Sequence, residues 1–486
     1  MHFSSLIAIT SLIAFSNAKA SVQFDILDSL SHAQCSSSIL SSSYSICPSN
    51  LELSRNKHYP SKSSQLLSIN SNESNTTLST SSTPSPWQYS PVCSNITSTS
   101  PKTPQFCVYT STNFASGRGI SLLTTPKIAS RIASLPAFTS SLPFQPLYNS
   151  SNPAPFEIRQ IPGRGMGVIA TRPIKRGTIL FAYPTIGIYH NSAFPRSHNS
   201  SSSPQNHTSL FSLSAAQLPP STSNLLYSLA AHEPHRQLHN GEGIIGRLNT
   251  NTFGEDFLGQ EHSIVVPETA RLNHDCRPNA NYYFDARTLM HYTVAGREIA
   301  VGEEVTITYT NPLIPSGSRR SALHHSWGFH CTCPHCLVPV PQRQHSNHLI
   351  LSILSLQSAL EYNSSSPFPP VDFIAKSLYL IELYKLEGLQ SHIGDGYRSA
   401  ALAYSVVGRE WETRMYVERA VEVMVGSEGW RGEGVREMRR WMGGREGVRG
   451  HWSWRRGLEL DGEGKEKGEE KEGSCGCGDR SGKDEL

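Results

Sequence analysis

Apolar positions recur along this chain with two different periods. Between Phe156 and Tyr309 they alternate with polar residues or gather in short runs, the spacing of strands. Phe156-Glu157-Ile158-Arg159, Val168-Ile169-Ala170, Thr178 to Ala182, Ser263 to Val266, Ala280 to Phe284, Thr288 to Val294 and Val305 to Tyr309 all predict short strands. Gly163-Arg164-Gly165-Met166-Gly167 and Pro173 to Gly177 punctuate them as turns. A short helix is predicted over Leu225 to Ala231. After Pro341 the period becomes helical. Leu349, Ile350, Ile353, Leu354 and Leu356 mark one helix, Phe373, Leu378, Ile381 and Leu383 a second, and Tyr397 to Met424 a third and fourth. Ala400-Ala401 with Tyr404 supplies the small-and-large pairing that stacked helical hairpins need, although no clean 34-residue repeat is present.

Elsewhere the pattern weakens. Ser61 to Ser85 is Ser/Thr/Asn-rich and too polar to bury a core. Strand-like apolar runs reappear at Phe106 to Tyr109 and Gly119 to Leu123. The expected organisation is a segment 1–20, a Ser-rich region 21–145 holding four cysteines, a strand-rich domain 150–338 with a Ser-rich insertion at about 191–224, a helical region 342–428, and a charged, largely disordered tail 429–486.

Composition adjusts this picture little. The net charge is +3, from 42 basic and 39 acidic side chains, so no global field drives nucleic-acid or membrane binding. Trp430, Trp441, Trp452 and Trp454 lie among arginines, but Glu433, Glu437 and Glu446 dilute them, and a solvated helix face is the expectation. Leu6 to Phe15 with Ala18-Lys19-Ala20 reads as a secretory signal peptide, and Lys483-Asp484-Glu485-Leu486 as an ER-retention address. Together they predict the endoplasmic reticulum lumen, with nucleus or cytoplasm as the alternative. No apolar run is long enough to predict a transmembrane anchor.

Cysteine spacing carries the chemistry. Cys35, Cys47, Cys93 and Cys107 suit disulfides in an oxidising lumen. Cys276, in Asn273-His274-Asp275-Cys276, precedes the C-x-C-x-x-C cluster Cys331, Cys333, Cys336. Those four thiolates are the number that closes a tetrahedral structural zinc site. His330 and His335 flank them, and in a lumen the same cysteines have disulfide formation as an alternative fate.

Read in order, these segments resemble a SET-domain protein-lysine methyltransferase. Gly165-Met166-Gly167 is similar to the opening G-x-G motif, and Arg271 to Asn279 to R-x-N-H-x-C-x-P-N. Gly302 to Tyr309 is similar to G-E-E-L-x-x-x-Y, and Phe329 to Cys336 to the post-SET zinc segment. Asn251-Thr252-Phe253 and the helical C-terminus resemble the SMYD-like branch. That branch inserts a zinc-binding MYND finger, yet no cysteine lies between Cys107 and Cys276 here, and Asp275 replaces a usual Ser. The resemblance implies an α+β SET fold of short strands and small sheets with a knot-like C-terminal segment, then an α-helical region. It implies S-adenosylmethionine held by Arg164, Gly165, Met166, Gly167, Asn273, His274 and Tyr309. Tyr309 would be catalytic, Zn2+ would sit on Cys276, Cys331, Cys333 and Cys336, and the substrate would be a protein lysine. The alternative is a catalytically inactive SET-fold interaction module.

Overall fold

The computed structural model describes residues 85–94, 104–140, 144–194, 207–232, 243–443 and 447–458. The signal-peptide and retention segments, Cys35, Cys47 and the Cys475–Cys477 pair lie outside these residues.

The strands are β1 (Val92–Cys93), β2 (Cys107–Ser111), β3 (Ile120–Thr124), β4 (Phe156–Ile161), β5 (Gly165–Ala170), β6 (Ile179–Pro184), β7 (Gly187–His190), β8 (Thr252–Phe257), β9 (Gln260–Val265), β10 (Asn273–His274), β11 (Ala280–Asp285), β12 (Met290–Ala295) and β13 (Glu304–Ile307). They form three small sheets, ordered β1-β2-β3-β7-β9-β8, β10-β13-β5-β4 and β11-β12-β6. The helices are α1 (Pro126–Ala133), α2 (Thr208–Ala216), α3 (Pro220–Tyr227), α4 (Ile244–Asn251), α5 (Ser316–Trp327), α6 (Val340–Ala359), α7 (Phe373–Leu386), α8 (Ile393–Val406), α9 (Glu410–Glu428) and α10 (Glu433–Met442). This is the α+β architecture of short sheets followed by helices that the apolar pattern predicts.

β3 is buried along its whole length, so its side chains pack on both faces. Ile120 and Leu122 join Ile128 and Ile132 of α1 in one cluster, while Leu123 turns to the other side and meets Phe211, Leu226, Ile245 and Leu248 of α2 to α4. A third cluster, with Val168, Leu180, Phe181, Leu272, Val305 and Ile307, fills the space between the smaller sheets.

Three expectations about boundaries change. The region 21–145 is not separate from the strand-rich domain drawn from residue 150, because β3 pairs in parallel with β7 and continues one sheet. Within it Cys93 and Cys107 face each other across β1 and β2 and form a disulfide. The insertion drawn at 191–224 contains α2 and α3, whose Leu210, Phe211, Ala215 and Leu226 are buried, so serine content there concealed two core helices. The second of these starts at Pro220, a residue suited to a first helical turn, ahead of the helix predicted from Leu225. The tail likewise stays folded past residue 429. Val435, Met438 and Trp441 recur at helical spacing on α10 and are buried, as is Val448 beyond it.

Candidate active site and metal centre

β13 organises the site. It pairs in parallel with β10, setting Asn273 opposite Thr306 and His274 opposite Ile307, and antiparallel with β5 on its other edge. The Asn-His strand and the glycine strand are thereby held one strand apart. Gly165 needs its glycine for backbone conformation, since φ is +72° and the space around it is open. Gly167 needs it for room: a Cβ there would collide with Ile161 Cδ1 and lie 3.0 Å from both Asn273 Nδ2 and Glu304 Oε1. Asn273 donates to Glu304 Oε1 at 2.8 Å and to the Met166 carbonyl at 3.2 Å. Arg164 donates to the other Glu304 oxygen at 2.6 Å and to the His274 carbonyl at 2.9 Å. Arg164, Gly165, Met166, Gly167, Asn273 and His274 are therefore brought together, with Glu304 as the anchor that the sequence did not single out.

His274 is buried, and its two ring nitrogens do different work. Nδ1 accepts from the Tyr309 backbone N–H at 3.0 Å. That leaves Nε2 as the protonated nitrogen, and it points at Cys276 Sγ at 3.4 Å. Tyr309 donates its hydroxyl to the Leu272 carbonyl at 2.7 Å and packs against Trp327, with ring centroids 5.3 Å apart. Burial drives its pKa well above the usual phenol range, so it remains protonated.

Two cavities flank this arrangement. One of about 240 Å³ runs to Tyr309 between Phe253, Leu272, Tyr282, Ile307 and Trp327. Its aromatic walls suit the methylenes of an extended side chain. Trp327 is fixed by donating Nε1–H to the Thr250 carbonyl at 2.9 Å. His291, behind Phe253 and Tyr282, has its pKa pulled down to about 3 by burial, so the cavity wall carries no cation. The second cavity, about 500 Å³, is bordered by three carboxylates, Asp275, Glu303 and Glu304, and three arginines, Arg164, Arg277 and Arg297. Its size is that of a site for a nucleoside-sized ligand, and its glutamates are already paired, Glu304 with Arg164 and Glu303 with Arg297. Burial raises the pKa of Asp275 against the N–H bond it accepts from Arg277 at 2.8 Å. Asn279 belongs to the scaffold: it donates to Glu303 Oε1 and to the Glu304 carbonyl and accepts from Thr306 N at 2.8 Å.

Cys276, Cys331, Cys333 and Cys336 place their sulfurs within 4.8 Å of one another, all buried and none in a disulfide. Sulfurs bound to one zinc stand about 3.8 Å apart, from a Zn–S bond of about 2.3 Å in a tetrahedron. The Cys276 to Cys336 separation is 3.6 Å. The donor set, four buried sulfurs from a lone cysteine and a C-x-C-x-x-C segment, fits zinc. Leu323 of α5, Trp327 and Phe329 pack over the cluster beside Tyr309. The flanking histidines stay out of the ligand set: His335 bonds Ser346 Oγ at 3.2 Å, and His330 stacks on His324.

Sequence reasoning missed Trp327 and Tyr282 as cavity walls. Trp327 ends α5 just before Gly328 turns left-handed, which is a readable helix stop but says nothing of what the indole will face.

The chain carries a SET domain: the pattern of that family matches residues 165–310, the span that holds the glycine strand, the Asn-His strand and Tyr309. Among the proteins it is similar to are ones named for the SMYD and SET5 groups. It is similar to the SET domain-containing protein SmydA-8, isoform A, of Drosophila melanogaster, at 37% identity over 97 residues, 19% of this chain and 21% of that one. It is also similar to the histone-lysine N-methyltransferase SET5 of Candida albicans, at 35% over 109 residues, 22% and 21% of the two chains. The human histone-lysine N-methyltransferase SMYD3 is 40% identical over 72 residues, 15% and 16% of the two chains. The matches thus span about a fifth of these relatives or less.

Proposed function

We propose that this chain is an S-adenosylmethionine-dependent protein-lysine N-methyltransferase. The observation that carries the reading is the position of Tyr309, which lines an aromatic cavity and is joined through His274 to the strand held one strand away from the glycine strand. S-adenosylmethionine, when bound, supplies an electrophilic methyl group on a sulfonium. Arg164, Gly165, Met166, Gly167, Asn273, His274 and Tyr309 are the residues that would hold it. Gly167 permits close backbone approach. Phe253, Tyr282 and Trp327 align a lysine side chain and exclude water from its amine. The protonated Tyr309 hydroxyl, oriented by the Leu272 carbonyl, positions the amine. The four cysteines would hold a structural zinc that packs the post-SET segment over the site and takes no chemical step.

Calorimetry of the full chain with S-adenosylmethionine should show one site per chain, and Tyr309→Phe should lower kcat on a lysine peptide by about 10²-fold or more with little change in cofactor affinity. Unchanged turnover in that variant contradicts the role given to Tyr309.

We further propose residence in the endoplasmic reticulum lumen. The two terminal segments and the Cys93–Cys107 disulfide support it. Imaging of an internally tagged chain tests this, and a nuclear signal would overturn it.

A further inference from the structure

β8 is the outer strand of the six-stranded sheet. Its side chains alternate: Phe253 is buried, Gly254 exposed, Glu255 half-buried and Asp256 exposed. Glu255 therefore lies on the Phe253 face of the strand, one step further along, opposite His262 on β9. The Phe253 ring meets Tyr282 at 4.9 Å, and both rings line the aromatic cavity. Glu255 thus sits on the strand face that carries this wall, and burial, with the Glu255 charge added, pushes the Tyr282 phenol up to about 12. Glu255 itself meets no cation and no hydrogen-bond donor among the described residues. Its histidine neighbours offer no charge either, since burial lowers the pKa of both His262 and His291. A carboxylate partly removed from water and left unpaired costs free energy that an incoming cation recovers. The target lysine cannot be that cation, because its side chain must run down the cavity to Tyr309, and Glu255 is not among the groups lining that cavity.

We propose that Glu255 is a specificity-determining residue. It recognises a basic side chain adjacent to the target lysine, so the preferred substrate is a segment with a second Lys or Arg beside the methylated position. The inference deepens the methyltransferase reading and rests on it for the identity of the central residue, but peptide binding can be read without turnover.

The test uses the full chain and dye-labelled peptides with one central lysine, carrying Arg, Gln or Glu at each neighbouring position in turn. Fluorescence anisotropy should give affinities in the order Arg, Gln, Glu, with about fivefold between the first two at one neighbouring position. In Glu255→Gln that ratio should fall to about one, and in Glu255→Lys the order should reverse. Circular dichroism confirms that each variant is folded. Equal affinities for the wild type, no binding of any peptide, or an Arg preference that survives both substitutions overturns the proposal. If the peptides bind in the expected order but mass spectrometry detects no methyl transfer, the methyltransferase reading fails and the role of Glu255 stands.

Discussion

Gly167 has no room for a side chain. Its Cβ would press on Ile161, Asn273 and Glu304 together, so a methyl group there displaces the asparagine amide as well as β4. We predict that Gly167→Ala costs about 1–3 kcal/mol of stability from overpacking and weakens S-adenosylmethionine binding by about tenfold or more. Calorimetry and thermal melts read these two effects separately, and wild-type affinity in this variant would contradict the close approach. Glu255 makes a prediction of opposite sign for stability. Burial pushes its carboxyl up to about 7 from an ordinary value near 4.5. A folded pKa above the unfolded one means that its contribution is fully present below pH ~4.5 and is lost as pH rises through ~7. The facing groups do not offset the loss: Tyr282 stays protonated and His262 is biased toward its neutral form. Glu255→Gln should therefore be the more stable protein at pH 8, by on the order of 1 kcal/mol after allowance for solvent screening, and indistinguishable from the wild type at pH 4. Urea titrations at the two pH values check this.

At the scale of elements, strands and helices with strong local patterns were legible. Phe156 to Arg159, Ala280 to Phe284 and the helix around Ile353 stand where alternation or 3.6-residue spacing placed them. β7 was not, because Gly187-Ile188-Tyr189-His190 is buried on both faces and shows no alternation. α2 was hidden because Ser209, Ser212 and Ser214 surround the Leu210 and Phe211 that bury it. The cysteine cluster is an element of another kind, a short segment that cannot hold its shape by hydrophobic burial alone. Removal of zinc by a chelator, or Cys331→Ser, should lower Tm and release one metal per chain, as measured by scanning calorimetry and metal analysis. A protein isolated without metal, with a Tm indifferent to chelation, would contradict the assignment.

Across the whole molecule, the residues of the site were readable because each motif is contiguous in sequence, whereas what surrounds them comes from far away. Phe253, Tyr282 and Trp327 converge on one cavity from three separate segments, and no local signal announces their meeting. The same is true of the joint between the SET region and the helices. Arg277, immediately after Cys276 of the cysteine cluster, bonds both the carboxylate and the carbonyl of Glu387, which also accepts from Ser346 Oγ at 2.8 Å. Glu387 is buried and Arg277 is only slightly exposed. Glu387→Gln should cost about 3 kcal/mol, because it strands the arginine's charge, while a double replacement of the pair by apolar residues should recover much of the loss. Equilibrium unfolding of the two variants decides it, and a near-neutral single substitution would show the joint to be dispensable.

The imidazole of His274 places a further condition on the proposed activity. One nitrogen steadies the main chain at Tyr309, and it can do so only while the other keeps its proton facing the sulfur of Cys276. An oxidant that captured that sulfur would remove the reason for this tautomer, and the tyrosine would lose its support in the same event. Redox damage and loss of turnover would then arrive together rather than as separate faults.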